Sequence, residues 1–228
     1  MNELTKAIFA VLIGTLLGGL VILALVISTG CSNKIVLPTY NPSDILDNME
    51  DLKESYLIRL HDENGKFFCS AVVISKSYAL TAAHCLMTDR VISVHTNNNK
   101  DLGTKAKRAS ASPRGDIGAI TGDFSAYNVA ALTTTMTDTL TTILSSHRLL
   151  ACGFPWGGVA TCISFRKPTP FGFQIAGQTA FYPGMSGGPV LDMDTMRVVG
   201  VAAAMSGDMG IFSPTIEIFS QLDIPVEK

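Results

Sequence analysis

The sequence predicts an all-β domain, either a barrel or a sandwich, that follows an apolar N-terminal segment. Twenty Gly and ten Pro separate short apolar runs, a distribution typical of strands joined by turns. Strands do not alternate with helix-length amphipathic segments, which argues against a parallel α/β sheet. The length of 228 residues allows one domain of ordinary size or one compact unit with two lobes.

Composition excludes two further classes of protein. Hydrophobic residues make up 47% of the chain and charged residues 16%, so intrinsic disorder is excluded. The formal net charge of −2 provides no overall attraction to a polyanion. We therefore expect no nucleic-acid partner.

Residues 1–54 are predicted to precede the domain rather than to belong to it. Residues 7–27 carry no charge and, as a helix, would extend roughly 31 Å, about the thickness of a bilayer's hydrocarbon core. Residues 1–30 are therefore interpreted as a transmembrane anchor or a signal peptide, and the length of the apolar run favours the anchor. Ser28-Thr29-Gly30-Cys31 also resembles a bacterial lipoprotein cleavage box, which makes Cys31 a lipidation candidate. Residues 31–54 are predicted to form a polar spacer.

From residue 55 onward, short strand-like segments follow one another, with a hairpin turn at Asn64-Gly65. The polar residues 97–115 are predicted to be a solvated surface loop, and the Thr-rich residues 133–142 to connect two halves. Residues 216–222 are predicted to form a short closing helix. The predicted strands are 56–61, 66–74, 78–81, 90–96, 148–153, 159–166, 173–182, 190–191 and 197–204.

Two motifs carry groups suited to nucleophilic catalysis. Thr81-Ala82-Ala83-His84-Cys85 ends an apolar strand, and Gly184-Met185-Ser186-Gly187-Gly188-Pro189 follows much later in the chain. A Ser hydroxyl becomes an effective nucleophile when a His takes its proton, and a carboxylate must orient that His. His84 and Ser186 are the candidates, and Asp116 is the candidate carboxylate because it opens an apolar, strand-like segment.

The glycines around Ser186 allow the backbone to turn sharply and expose the hydroxyl. The backbone N–H groups of Gly184 and Ser186 can then converge on one point, as an oxyanion hole requires. Asp101 and Asp123 compete with Asp116 for the role of the carboxylate, but neither opens an apolar segment of the expected kind.

Together the two motifs resemble those of the trypsin-like (chymotrypsin-fold) serine peptidases, over residues 55–220. The order His84, Asp116, Ser186 along the chain is the order of this family and not that of subtilisins or α/β-hydrolases. The resemblance implies two packed antiparallel six-stranded β-barrels, with His84 and Asp116 on the first barrel and Ser186 on the second. It implies a serine endopeptidase domain over residues 55–228 that cleaves proteins or peptides through an acyl-enzyme, with no cofactor and no metal.

The cysteines support this interpretation, because four of the five can form two disulfides. Two Cys at the places of Cys69 and Cys85 form a bridge beside the catalytic His in this family. Cys152 and Cys162 lie on consecutive predicted strands, where a cross-hairpin bridge is geometrically reasonable. No Cys pair has the close spacing typical of a zinc site. Two disulfides require an oxidising compartment, so we expect the domain to be membrane-anchored and extracytoplasmic, either periplasmic or extracellular.

The chain departs from digestive and clotting members of the family at two places. Met185 stands where those enzymes have an Asp that pairs with a new N-terminal amine, and no activation site is visible near residue 55. We therefore expect a bacterial-type enzyme that needs no activation cleavage, with Pro183 helping to hold the oxyanion loop. The Ser that often supports the triad Asp is replaced within residues 202–204. A catalytically weak or inactive binding module is the alternative function.

Alignment through Ser186 places the base of the pocket for the P1 residue, the substrate residue before the scissile bond, near residue 180. The walls fall at residues 203–205 and 210–212. None of these residues is charged, so we predict small to medium apolar P1 residues. The substrate backbone is expected to pair as an added strand along residues 203–205. The substrate-binding candidates are Ala180, Ala203, Ala204, Met205 and Gly210.

Overall fold

The computed structural model of the chain describes residues 56–133, 136–145, 148–222 and 224. The predicted anchor or signal, the spacer and the lipidation candidate Cys31 lie outside the described residues. Among the described residues, no helix has the length and hydropathy needed to span a bilayer.

The first half of the domain is a closed antiparallel barrel with the strand order β1-β2-β3-β6-β5-β4. Its core is built from apolar side chains of all six strands, among them Ile58, Val73 and Ile120. Apolar residues at alternate positions of a strand face one side of the sheet, which explains why these segments form strands around a core. The strands are β1 (Leu57–His61), β2 (Phe67–Val73), β3 (Tyr78–Thr81), β4 (Ile92–His95), β5 (Asp101–Ser112) and β6 (Ile117–Gly122).

The second half is a closed barrel in which β7-β8-β9-β12-β11-β10 repeats the strand order of the first. Phe165 and Phe212 lie in its core with ring centroids 4.9 Å apart, edge to face. The strands are β7 (Leu149–Gly153), β8 (Thr161–Phe171), β9 (Gln174–Gln178), β10 (Pro189–Asp192), β11 (Arg197–Ser206) and β12 (Met209–Pro214).

A shared apolar cluster joins the two barrels. It contains Leu57 and Val72 of the first barrel and Leu191 and Val201 of the second. Because buried apolar area is the dominant favourable term in folding, this cluster fixes one barrel against the other. The fold predicted from the sequence, two packed six-stranded antiparallel barrels, is confirmed for the described residues.

The prediction for residues 97–115 was wrong, because residues 101–112 form the 12-residue strand β5. β5 pairs with both β4 and β6 and so closes the first barrel. Within β5, Ala106 is buried while most of the other residues are exposed, so the sequence lacks the apolar alternation that would have revealed a strand. Strand β12 was also missed, since its residues were considered only as walls of a pocket.

Two helices complete the described fold. Helix α1 (Met136–Ser145) lies within the Thr-rich connection between the barrels, and its Ile143 is buried in the core of the second barrel. Helix α2 (Ile216–Gln221) follows β12, which confirms the predicted closing helix.

Candidate active site

The first barrel brings His84 and Asp116 into contact. His84 lies on a 3-10 helix (Ala83–Leu86) directly after β3, and Asp116 lies in the turn before β6. Asp116 Oδ2 is 2.8 Å from His84 Nδ1, and Asp116 Oδ1 accepts a hydrogen bond from the His84 backbone N–H at 2.9 Å. This two-point contact suits the tautomer with hydrogen on Nδ1, which leaves Nε2 able to accept a proton.

A disulfide fixes the segment that carries His84. Cys85, the next residue, is bonded to Cys69 of β2. The His84 ring and the two sulfur atoms lie within 4.8 Å of one another, yet sulfurs bonded to each other are not the thiolates that a metal site needs. The second disulfide, Cys152–Cys162, joins directly paired residues of β7 and β8. Both predicted disulfides are therefore present.

Ser186 lies in the loop before β10, at the junction with the first barrel. Its backbone carbonyl accepts a hydrogen bond of 2.8 Å from the backbone N–H of Ser70, the residue after Cys69. Its hydroxyl donates to the carbonyl of Ala203 at 3.4 Å and, within the described part of the chain, has no hydrogen bond to His84. Catalytic hydrogen bonds are often long or unformed until substrate binds, so this rotamer is compatible with a nucleophile at rest.

The loop before Ser186 presents two backbone donors. The N–H groups of Gly184 and Ser186 have no acceptor among the described residues. Gly184 has φ +95°, a left-handed conformation that glycine adopts without strain. Two unengaged donors beside a Ser hydroxyl can stabilise the negative oxygen of a tetrahedral intermediate.

The two glycines after Ser186 are required by close packing. A Cβ at Gly187, which has φ +85°, would lie 2.1 Å from both the Ser70 carbonyl oxygen and the Thr81 hydroxyl. A Cβ at Gly188 would lie 1.9 Å from the Cys152 carbonyl oxygen. The motif thus allows the nucleophile loop to pack directly on the backbone of both barrels.

A family profile described as "Trypsin-like peptidase domain" matches residues 69–201, more than half of the chain. The chain belongs to the trypsin-like peptidase family. The matched range begins at Cys69 and includes His84, Asp116 and Ser186. No curated protein matches the sequence.

Solved structures of proteases show a similar fold. The active form of the Rv3671c protease from M. tuberculosis has a TM-score of 0.63 and 16% identity, covering 82% of this chain and 88% of that chain. The HtrA-type protease AlgW with tripeptide has a TM-score of 0.62 and 19% identity, with coverage of 76% and 62%. The serine endoprotease from Yersinia pestis has a TM-score of 0.61 and 16% identity, with coverage of 76% and 64%. This chain therefore spans less than two thirds of the length of the last two.

Beside Ser186, this trypsin-like domain offers an unpaired strand edge. β11 pairs with β10 only as far as Val201, whereas its pairing with β12 continues to Ser206. Residues 203–206 therefore have no strand partner on that edge among the described residues. Of the predicted substrate-binding residues, Ala203 is buried, while Ala204 and Met205 are exposed on this segment.

The other two predicted substrate-binding residues lie on either side of a phenylalanine. Ala180 is exposed just after β9, and Gly210 is buried in β12. A Cβ at Gly210 would lie 2.2 Å from Thr179 Cγ2 and 3.2 Å from the ring of Phe181, which is buried in the core of the second barrel. The contact of Phe181 with Gly210 gave no sequence signal, because it depends on how the chain after β9 packs against β12.

The peptide bond before Asp116 is held by the second barrel. Ser213 Oγ donates to the Gly115 carbonyl, and Gln174 Nε2 donates to the same oxygen at 3.1 Å. None of the hydrogen bonds of the described residues joins a Ser to the Asp116 carboxylate itself. The role of Ser213 gave no sequence signal, because it depends on which strands pair across the domain.

Proposed function

We propose that the protein is a serine endopeptidase that hydrolyses peptide bonds through His84, Asp116 and Ser186. The observation that carries this proposal is the 2.8 Å contact between His84 Nδ1 and Asp116 Oδ2. This contact orients His84 as a base, in a chain that belongs to the trypsin-like family. The backbone N–H groups of Gly184 and Ser186, which have no acceptor among the described residues, lie in the same loop as the Ser186 hydroxyl.

The reaction begins when the Ser186 hydroxyl rotates from the Ala203 carbonyl toward His84. Its oxygen attacks the carbonyl carbon of the scissile bond, and its proton passes to His84 Nε2. The N–H groups of Gly184 and Ser186 stabilise the resulting oxyanion, and Asp116 stabilises the imidazolium.

The tetrahedral intermediate then collapses. The C–N bond breaks as His84 gives its proton to the leaving amine, which leaves an ester on Ser186. A water molecule attacks the carbonyl carbon of this ester while His84 takes a proton from the water. The second collapse returns that proton to Ser186 and releases the carboxylic acid.

We propose an extended peptide as the substrate, added as a strand along residues 203–206, where the edge of β11 has no strand partner. The solved AlgW structures with a tripeptide and with a decapeptide support a peptide ligand for this fold. The absence of charged residues at positions 180, 203–205 and 210–212 supports a small to medium apolar P1 residue.

The proposed location is the outer side of a membrane. Two disulfides favour an oxidising compartment, and the uncharged residues 7–27 favour a membrane tether, either as an anchor or through a lipid on Cys31. Substrates would then be envelope or extracellular proteins.

A fluorophosphonate probe tests the proposal, because it reacts only with an activated serine. The full-length protein should be labelled on Ser186, and the Ser186→Ala variant should not be labelled. Absence of labelling in a folded, fully oxidised wild type would contradict the proposal. It would favour the non-catalytic binding module, for which the Ser186 hydroxyl bonded to Ala203 rather than to His84 is the supporting observation.

A further inference from the structure

Three successive peptide bonds of the oxyanion loop, residues 183–186, are held at their carbonyl oxygens. The carbonyl of Pro183 accepts a hydrogen bond of 2.6 Å from the Trp156 N–H. The carbonyl of Gly184 accepts one of 2.7 Å from the Ser70 hydroxyl. The carbonyl of Met185 accepts one of 3.0 Å from the Gly188 N–H.

These bonds determine where the two catalytic donors point. In a trans peptide the C=O and the N–H point in opposite directions. Because the Pro183 carbonyl points at Trp156, the Gly184 N–H points away from it. Because the Met185 carbonyl points at Gly188, the Ser186 N–H points away from that residue. Rotating either peptide would withdraw a donor from the substrate and break a hydrogen bond.

Ser70 of β2 is the first-barrel side chain at the centre of this arrangement, and it is fully buried. Its hydroxyl donates to the Gly184 carbonyl and accepts from the Phe154 N–H at 3.1 Å. Its backbone N–H donates to the Ser186 carbonyl. Ser70 therefore contacts the oxyanion loop on both sides of Met185 and also the turn that carries Trp156.

Arg59 of β1 also holds this turn, which comprises residues 154–158. Its Nη1 donates to the Gly157 carbonyl at 2.7 Å, and its Nη2 donates to the Gly158 carbonyl at 2.6 Å. Its guanidinium carbon lies 4.0 Å from the centroid of the Phe154 ring. The turn needs this support because Trp156 has φ +49°, a conformation that costs energy in a residue with a side chain.

We propose that Ser70 and Arg59 are positioning residues that hold the oxyanion loop in its donor-presenting conformation. Ser70 acts directly on the Gly184 carbonyl, and Arg59 acts through the turn that binds the Pro183 carbonyl. Neither residue touches the reacting atoms. The inference rests on the proposed peptidase function. Ser70 and Arg59 would support the oxyanion loop in place of an ion pair, which Met185 cannot form because its side chain is apolar and buried.

The decisive variant is Ser70→Ala, which leaves the Gly184 carbonyl and the Phe154 N–H without their hydroxyl partner. Removal of one oxyanion donor costs on the order of 100-fold or more in kcat, so partial loss of its orientation should lower kcat by roughly 10- to 100-fold. KM for a peptide amide should stay within about threefold, because the β11 edge is untouched. The matched control is Ser93→Ala, which removes a buried first-barrel hydroxyl that binds Lys105 Nζ instead.

Two further measurements separate positioning from a general loss of stability. A peptide aldehyde that forms a tetrahedral adduct should bind Ser70→Ala more weakly by the same factor as kcat falls, because both depend on the oxyanion donors. The pH profile of kcat/KM should keep its shape, because the His84–Asp116 contact is unchanged. If Ser70→Ala folds poorly, Arg59→Lys provides the test instead. This variant keeps the charge but loses the bidentate contact with Gly157 and Gly158, so it should also lower kcat.

The outcomes distinguish this inference from the proposed function. A wild type that turns over substrate, together with Ser70→Ala and Arg59→Lys variants whose kcat matches that of Ser93→Ala, would overturn the inference alone. A folded wild type that neither reacts with the fluorophosphonate nor cleaves peptides would overturn the proposed function and the inference with it.

Discussion

Asp116 is set apart from Asp123 by its backbone conformation and its surroundings. It has φ +51°, and hydrogen bonds from Ser213 and Gln174 to the Gly115 carbonyl hold the preceding peptide. Asp123, the competing candidate from the sequence, is exposed and accepts a hydrogen bond from its neighbour Ser125 instead. The geometry therefore favours Asp116 as the carboxylate that orients His84.

Replacing Asp116 by Asn should reduce kcat by about four orders of magnitude, because the amide would favour the wrong imidazole tautomer. KM should change little. Steady-state kinetics on a peptide amide measures both, with Asp123→Asn as the control that keeps full activity. Equal activity of the two variants would remove Asp116 from the mechanism.

His61 gives the domain a pH-dependent stability that is separate from catalysis. Its ring is buried and stacks on the His95 ring, with centroids 3.9 Å apart, and its Nδ1–H donates to the Gly65 carbonyl at 2.9 Å. Burial is the largest effect on its pKa and lowers it below 6.5, while His95 and Arg59 lower it further. The Gly65 contact and Asp62 raise the pKa but do not reverse the shift.

Because the folded state binds this proton less readily than the unfolded state, stability is complete above about pH 6.5 and falls as the pH drops through that value. His61→Asn should lower the melting temperature at pH 7.5, because the smaller side chain leaves a cavity at this buried position. It should also give a shallower loss of melting temperature between pH 7.5 and pH 5 than the wild type. Parallel curves for the two proteins would contradict this assignment.

At the scale of elements, the strand ends that meet at Ser186 leave no room for side chains. Gly187→Ala should destabilise the domain by more than about 3 kcal/mol, since a Cβ there would meet backbone and a left-handed φ would be strained. The matched control is Gly103→Ala. Gly103 has φ +79°, and no atom lies within 4 Å of an added Cβ, so this variant measures the backbone strain alone, about 1 kcal/mol. Urea unfolding measures both, and equal losses would show that the contact is unimportant.

The two disulfides should differ in their effect on catalysis. Replacing Cys69 and Cys85 by Ala should cost about 3 kcal/mol of stability, given a sequence separation of 16 residues, and should also lower kcat because the bridge adjoins His84. Replacing Cys152 and Cys162 should cost slightly less stability and lower kcat less, since the bridge lies within one hairpin. Urea unfolding and kcat for each double variant test this, and a larger kcat loss for the second pair would contradict it.

The sequence predicted those elements whose apolar pattern is local. In β1, apolar and polar residues partly alternate, β2 is a short apolar run, and β3 leads into the motif that contains His84. The closing helix α2 was also predicted. β5 could not be predicted, because its partners β4 and β6 supply the hydrogen bonds that make it a strand while most of its side chains remain in solvent. Ser70 likewise gave no sequence signal, because its hydroxyl binds a loop that lies more than a hundred residues away in sequence.

For the whole molecule, the proposed support of the oxyanion loop by Ser70 and Arg59 requires no N-terminal amine. Full-length protein labelled by the fluorophosphonate should therefore still contain residues 32–54. Peptide mapping of the labelled chain by mass spectrometry tests this. Labelled chains that all begin near residue 55 would show that activation requires cleavage there.

The two barrels position each other's chemical groups. Ser70 of the first barrel holds the Gly184 carbonyl of the second, and Ser213 of the second holds the Gly115 carbonyl of the first. A chain in which only one barrel is folded would lack the contact that the other barrel makes, either to the Gly115 carbonyl or to the Gly184 carbonyl. The proposed peptidase activity would therefore require both barrels to be folded.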